Sequence, residues 1–337
     1  MTVLIQTHIN NRVSFTEIAY DIVKVNDNVE WELGDHFSHV PLKRYEAVLY
    51  IGSMMRIDVA RFYRYMFWTG KHVYYGVTEG PPILDIASMA ATKYMRMYVP
   101  SNYVKWELEN AGIRVDGIIP HGVDVERIGR ADHRKWREMF GDRIVLLYVA
   151  HRNIRKGFRE LMEAWRMTRA SRDDGVLLVL HTTSAPNTLS GEQYVKFDGN
   201  VLVTENILKL NKDDLYGLYK ACDIYVHAAL AEGFGIPIVE AMAAGKPVLC
   251  IDAPPMNEHV NDKRMLVKVD RQEIYNDRGY ATFRMNYPDL RDFAEKIDWI
   301  VYAGREVWRD IGERNRETCA RRYGLENYRA FGKIAEM

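Results

Sequence analysis

Cysteine is scarce in this 337-residue chain, occurring only as Cys222, Cys250 and Cys319. The three are odd in number, far apart and form no C-x-x-C pair, which argues against a disulfide framework and a zinc knuckle. Cys222 and Cys250 stand in apolar surroundings and read as buried thiols in a reducing setting. An excess of charge of either sign is also missing. Lys plus Arg and Asp plus Glu each total 46, for a formal net charge of +0. A dedicated nucleic-acid binder needs surplus cations to displace phosphate counterions, so no nucleic-acid partner is expected. There is no apolar run long enough to span a bilayer. The start, MTVLIQTHINNR, lacks the charged and then apolar stretches of a signal peptide, which makes a cytoplasmic location the expectation. Peripheral contact with a membrane stays open. No internal repeat or low-complexity segment is present.

What is there is an ordinary globular composition, 47% hydrophobic and 27% charged, in a chain long enough for two domains. From Ile144 onward, short apolar runs alternate with helical patterns. Ile144–Ala150, Val176–His181, Val201–Thr204, Asp223–His227 and Pro247–Asp252 read as strands. Phe158–Arg169 and Asp213–Ala221 read as helices, and TTSAPN as a polar loop. Repeated strand–helix–strand units imply right-handed crossovers and a parallel sheet covered on both faces. The first part is similar in kind. Val3–Gln6, Ala47–Ile51, His72–Tyr75, Tyr98–Val99 and Gly117–Ile119 are its strand candidates, and Phe15–Val25 and Asn102–Ala111 its helices. The spacing predicts Rossmann-like domains over 1–125 and 126–319, joined near Val123–Arg134. A C-terminal helix of about residues 320–337 is available to pack back on the first domain. The tail from Leu290 onward reads as mostly helical.

Two loops carry the chemistry. In Ala231–Asp252 (AEGFGIPIVEAMAAGKPVLCID) a strand leads into Gly233 and Gly235, and Pro237 suits a first helical turn. Gly245 suits a left-handed cap, so the helix should run roughly from Pro237 to Ala244. A helix N-terminus at the carboxyl edge of a parallel sheet attracts anions and nucleotides. Glu232 and Glu240 flank this loop. Eight helical steps would separate them by ~12 Å, too far for a glycosidase pair, so each would hold a different part of one elongated ligand. The second loop, VAHRNIRKGF (Val149–Phe158), gathers His151, Arg152, Arg155 and Lys156 at another strand–helix junction, a place suited to a diphosphate. A capping glutamate and a solvated charged loop are the plain alternatives.

These loops, in this order, resemble the family 4 glycosyltransferases, whose signature is a glutamate, seven residues and a second glutamate. Here it is Glu232–Glu240 within EGFGIPIVEAMAAGKPV. The match extends upstream through KDDLYGLYKACDIYVHAAL, and PSNYVKWELENAGI with IIPHGVDVERI is similar to the segment joining the family's domains. The likeness spans about residues 94–260, and more weakly RRYGLENY. It implies an α/β, GT-B fold: two Rossmann-like domains with parallel sheets facing each other across a cleft. It implies a retaining transferase using a UDP- or GDP-sugar, with Glu240 on the ribose and Glu232 on the transferred sugar. The amides of Gly233, Phe234 and Gly235 would face sugar or phosphate oxygens, and Lys156 matches the phosphate-binding lysine. His151 falls at the usual arginine position, with Arg152 one residue late, and Thr204–Ile207 lies where the base is commonly met. The first loop, Thr7–Phe15 (THINNRVSF), departs from the usual glycine-rich form.

The resemblance implies same-face attack, with Glu232, Lys156 and Arg152 carrying the catalytic roles. No D-x-D motif occurs, so neither a metal nor another cofactor is expected beside the donor. The acceptor, whether glycan, lipid-linked, protein or small molecule, is not readable. Glu79 or His72, in HVYYGVTEGPP, could orient donor or acceptor, and a Gly80–Pro81–Pro82 turn explains the same residues equally well. His8 is similarly ambiguous. Met54–Lys71 interleaves arginines with aromatics, and reads as a helix covering a sheet more readily than as a lipid-docking surface. A GT-B sugar-nucleotide epimerase and a non-catalytic nucleotide-sugar binding module are the alternatives to a transferase.

Overall fold

A computed structural model describes residues 2–7, 14–35, 43–54, 62–63, 65–66, 70–151, 153–182, 194–197, 199–205 and 210–334. The chain divides into two compact units. One comprises Met1–Gly122, Ile274–Arg284 and Tyr323–Met337, the other Val123–Glu273 and Met285–Arg322. Among the described residues no helix is long and apolar enough to cross a membrane.

In the first unit, β1 (Thr2–Thr7), β2 (Glu30–Asp35), β3 (Ala47–Ser53), β4 (His72–Val77), β5 (Arg96–Val99) and β6 (Gly117–Ile118) form one sheet in the order β2-β1-β3-β4-β5-β6. Every pairing is parallel. Sheets of this kind need both faces covered, which is why β3, AVLYIGS, is buried along nearly its whole length. Tyr50, Tyr65, Tyr74 and Tyr75 fill the core. Their hydroxyls are satisfied where they are buried: Tyr75, for instance, donates to Ile119 O at 2.6 Å. The C-terminal residues belong here through Asn26, whose amide donates to Tyr328 O at 2.8 Å. Within Met54–Lys71, Met54, Phe62 and Tyr65 are buried, as a sheet-covering segment requires; much of the remainder lies outside the described residues.

The second unit holds β7 (Ile144–Ala150), β8 (Val176–Thr182), β9 (Tyr194–Phe197), β10 (Val201–Glu205), β11 (Ile224–His227), β12 (Val248–Ile251) and β13 (Leu266–Val267), ordered β13-β12-β11-β7-β8-β10-β9. Only β9, at the edge, runs antiparallel. The chain builds outward from β7 through β8 and β10, then returns to the other side of β7 as β11. That reversal opens a crevice at the carboxyl ends of β7 and β11, the place where open α/β sheets bind ligands. Both loops singled out in the sequence follow these two strands. Helix ends shift slightly from expectation. Phe158–Met167 stops at Thr168, Lys212–Ala221 is capped by Asn211 rather than Asp213, and the tail is two helices, Leu290–Tyr302 and Arg305–Arg322, followed by a 3-10 stretch.

One element escaped the sequence reading. β14 (Val269–Asp277) and β15 (Ala281–Pro288) form a hairpin, and its residues 274–284 group with the first unit, whereas the sequence suggested that all of 126–319 stays together. Arg284 donates to the buried Glu107 at 2.6 Å, and its amide donates to Glu79 O at 2.8 Å. Gly80 lies so close to residues 282–284 that a Cβ would meet backbone at 2.8 Å. Glu79 therefore sits on a turn built by these contacts. His72, at the opposite end of β4, is a core histidine, bonded through Nδ1 to Tyr50 OH at 2.9 Å and ringed by Tyr50 and Phe62.

Candidate functional site

The crevice of the second unit is assembled by two loops that touch backbone to backbone. Leu230 N donates to Arg155 O at 2.7 Å, and the Arg155 guanidinium donates to Ala231 O at 3.3 Å. Gly157 permits this approach. Its φ is +67°, and a Cβ there would stand 1.8 Å from Ala228 O. Left-handed backbone costs a residue with a side chain about 1–2 kcal/mol, before any clash. Gly157→Ala is therefore expected to force the loops apart and lower stability by more than ~2 kcal/mol. A urea titration showing a variant as stable as wild type would rule out this packing.

Loop closure brings Lys156 and Glu232 together across 76 residues of sequence. Lys156 Nζ donates to Glu232 Oε1 at 2.5 Å, and Arg155 Nη1 lies 3.6 Å from Oε2. Glu232 is 6% exposed. Burial alone would raise its pKa, but Lys156, His227 and Arg155 outweigh that and hold the carboxyl below the ordinary range. His227, at the end of β11, places Nε2 3.2 Å from Glu232 Oε1 and Nδ1 3.3 Å from Tyr225 OH. Desolvation lowers the His227 pKa more than Glu232 raises it, so the imidazole is neutral.

Glu240 is equally buried but has a different partner, Lys212 Nζ at 3.3 Å. The helix that carries it spans Ile236–Ala243, one residue earlier than the sequence suggested at its start, because Gly235 adopts φ +93° and serves as the N-cap with Pro237 in the first turn. Gly245, at φ +73°, turns the chain out as expected. The long Arg305–Arg322 helix braces this segment: Gly312 passes so near that a Cβ would meet Gly245 O at 2.1 Å, and Asn315 donates to Lys246 O at 2.8 Å. The Phe234 side chain is buried, packed edge-on against His259, whose Nε2 lies 2.7 Å from Phe234 O.

The remaining residues singled out in the sequence are placed less closely. His151 is exposed at the mouth of the β7 loop. Thr204 is buried, its hydroxyl 2.6 Å from His181 Nδ1. Burial pushes the His181 pKa down to about 4. Arg152, Ile207, His8 and most of Thr7–Phe15 lie outside the described residues. Burial pushes the Cys222 and Cys319 thiols up to about 12, which leaves them inert. The sequence reading passed over Lys212, His227, Tyr219 and Tyr225. A signal existed for two of them. Tyr225 and His227 alternate onto one face of β11, a polar pair in an otherwise apolar strand.

Residues 130–278, which hold both loops, match the family model described as glycosyl transferases group 1. One relative is an uncharacterized glycosyltransferase 335 of Sulfolobus islandicus rod-shaped virus 1, 22% identical over 277 residues, or 79% of this chain and 80% of the relative. A lipopolysaccharide 1,2-N-acetylglucosaminetransferase of Salmonella typhimurium is 25% identical over 236 residues, 66% of this chain and 61% of that protein. Among solved structures, Anabaena HepE in complex with UDP and glucose is similar with a TM-score of 0.70 at 15% identity, covering 100% of this chain and 98% of the other. The chain thus has the GT-B fold, and over residues 130–278 it matches the group 1 glycosyl transferases.

Proposed function

We propose that the chain is a retaining, metal-independent family 4 glycosyltransferase, moving a sugar from a UDP- or GDP-sugar to an acceptor hydroxyl. The observation that carries this reading is the buried Lys156–Glu232 pair at the crevice between β7 and β11, flanked by Arg155 and the start of the Ile236–Ala243 helix. The match to group 1 glycosyl transferases and the UDP and glucose held by HepE support it.

In this reading Lys156, with His151 and Arg152 of the same loop, neutralises the donor diphosphate as the glycosidic bond breaks. The amides of Gly233, Phe234 and Gly235 add the partial positive charge of a helix start. Glu240 accepts from the ribose hydroxyls and Glu232 from those of the transferred sugar, each charge-assisted bond contributing ~1.5–3 kcal/mol. The reading assigns Thr204 and Ile207 to the base. The acceptor oxygen attacks the face that the diphosphate leaves, and a departing phosphate oxygen takes the acceptor's proton. Positioning and electrostatic stabilisation provide the catalysis. The acceptor can be a glycan, a lipid-linked or protein group or a small molecule, and peripheral membrane contact suits a lipid-linked one.

Thermal unfolding with a panel of nucleotide sugars identifies the donor, since a ligand at 100 times its Kd adds about 2.7 kcal/mol of stability. Glu240→Ala is expected to weaken UDP or GDP binding about 10–100-fold, as loss of one or two charge-assisted bonds requires. Unchanged affinity would remove Glu240 from the site. Product analysis with and without acceptor separates transfer from epimerisation, which consumes donor alone, and binding without turnover would favour a non-catalytic module.

A further inference from the structure

Glu232 Oε1 has two neighbours on the protein side, Lys156 Nζ at 2.5 Å and His227 Nε2 at 3.2 Å. Only Lys156 makes an aligned bond. His227 Nε2 is a buried atom without a hydrogen-bond partner, on a residue only 2% exposed. Tyr225 OH stands 3.3 Å from Nδ1, and the Tyr225 ring is 6.1 Å from the imidazole. A Cβ on Gly235 would lie 4.0 Å from Nε2, so this nitrogen sits directly beneath the turn that opens the Ile236–Ala243 helix. Buried polar atoms are rarely left unpaired, and an unpaired one calls for a partner in some other state of the site.

Charge supplies that state. On the reading of the site given above, Lys156 must serve a diphosphate, yet in the structure its ammonium donates to Glu232. An ammonium that turns toward a diphosphate leaves Oε1, and Glu232 is too buried for water to replace it. Arg155 faces the other oxygen, Oε2, at 3.6 Å. Among the described residues, His227 is in reach of Oε1 at 3.2 Å.

We propose that His227 is a positioning residue that takes over Glu232: when Lys156 turns to the donor diphosphate, His227 Nε2–H closes onto Oε1 and keeps the carboxylate ionised and oriented toward the sugar. This rests on the assignment of Lys156 to the diphosphate. The tautomer follows from the neighbours. An Nε2 lone pair 3.2 Å from Oε1 would repel the carboxylate, so the proton sits on Nε2, and Nδ1 faces Tyr225 OH, a hydroxyl shared with Val149 O at 3.4 Å. The exchange hands over a hydrogen bond and requires no change in the charge of the imidazole. Beneath it the chain of groups continues, because the Tyr225 ring packs, tilted, at 5.5 Å against Tyr219, a fully buried tyrosine whose pKa is raised by its burial and by Glu240. The layer under the two glutamates is therefore polar, where packing alone would favour aliphatic residues.

Imidazole nitrogen NMR on protein labelled at histidine tests the exchange, with His227→Gln identifying the resonance. The expected result is an Nε2-protonated ring whose Nε2–H signal moves downfield as UDP or GDP saturates the protein. Lys156→Ala should show the same downfield position with no nucleotide present. A proton on Nδ1, or a signal indifferent both to bound nucleotide and to Lys156→Ala, overturns the proposal. Failure of UDP and GDP to bind counts against the donor assignment alone, because the Lys156→Ala comparison needs no ligand. In turnover with UDP-glucose and GDP-mannose as probes, His227→Leu should lower kcat about 10–100-fold with KM within about threefold, the scale typical of groups that orient a reacting residue. His227→Gln, which keeps an N–H near the Nε2 position, should recover about tenfold of that loss. Equal rates in the two variants would mean that His227 only fills space.

Discussion

Glu232→Ala is expected to lower transfer about 10²–10³-fold while leaving donor affinity within severalfold, the pattern of a group whose contact strengthens as charge develops on the sugar. The same change has a structural cost. It strands Lys156 and Arg155, whose side chains are 12% and 19% exposed, beside a crevice that had neutralised them. Breaking a fully buried pair costs about 3–5 kcal/mol, and because both cations reach the crevice edge the lower part of that range applies. Glu232→Gln keeps the volume and isolates the charge. The folded-state pKa of Glu232 lies below its unfolded value, so the pair stabilises fully above about pH 5, and that contribution fades as pH falls toward the folded pKa. Stability of Glu232→Gln should accordingly fall less steeply than wild type below about pH 4.5. Single-turnover kinetics and acid unfolding curves measure the two effects. Wild-type transfer by both variants would end the assignment of Glu232 to the donor sugar.

Lys156→Ala should weaken binding of UDP or GDP about 10–100-fold and leave the parent nucleoside within about twofold, because only the diphosphate carries the charge that Lys156 answers. The loss stays within what one charge-assisted bond provides, for a reason visible in the site. Lys156 already donates to Glu232, so the donor gains only the difference between two carboxylate-like partners. The difference should shrink as salt screens the exposed face of the crevice. Calorimetric titration at two ionic strengths checks both points, and equal losses for nucleotide and nucleoside would contradict a diphosphate contact.

Where backbone sterics decide, single residues were informative. Gly235 at φ +93°, Pro237 in the first turn and Gly245 at φ +73° place a short helix, and each of these constraints is local enough to read without knowing the fold. The strand runs Ile144–Ala150 and Val176–Thr182 are equally plain, because a parallel strand buried on both faces has to be continuously apolar. The hairpin from Val269 to Pro288 was not legible for the converse reason. Most of β14 is exposed, so it shows no apolar alternation, and β15 is held through Arg284 by Glu107 and Glu79 O, far away in sequence.

The sequence by itself determined the α/β class, the two loops and the acids and bases they carry, since these follow from short-range propensity and residue chemistry. Only the tertiary structure decided which of those groups meet. Lys156 rather than His151 closes on Glu232, Lys212 takes Glu240, and His227 comes to rest under the glycine turn. Such pairings depend on the strand order that sets β7 beside β11, and on a glycine at 157 that lets two loops approach within bonding distance. Contacts across some 76 residues of chain are fixed by sheet topology and packing, and no local pattern encodes them.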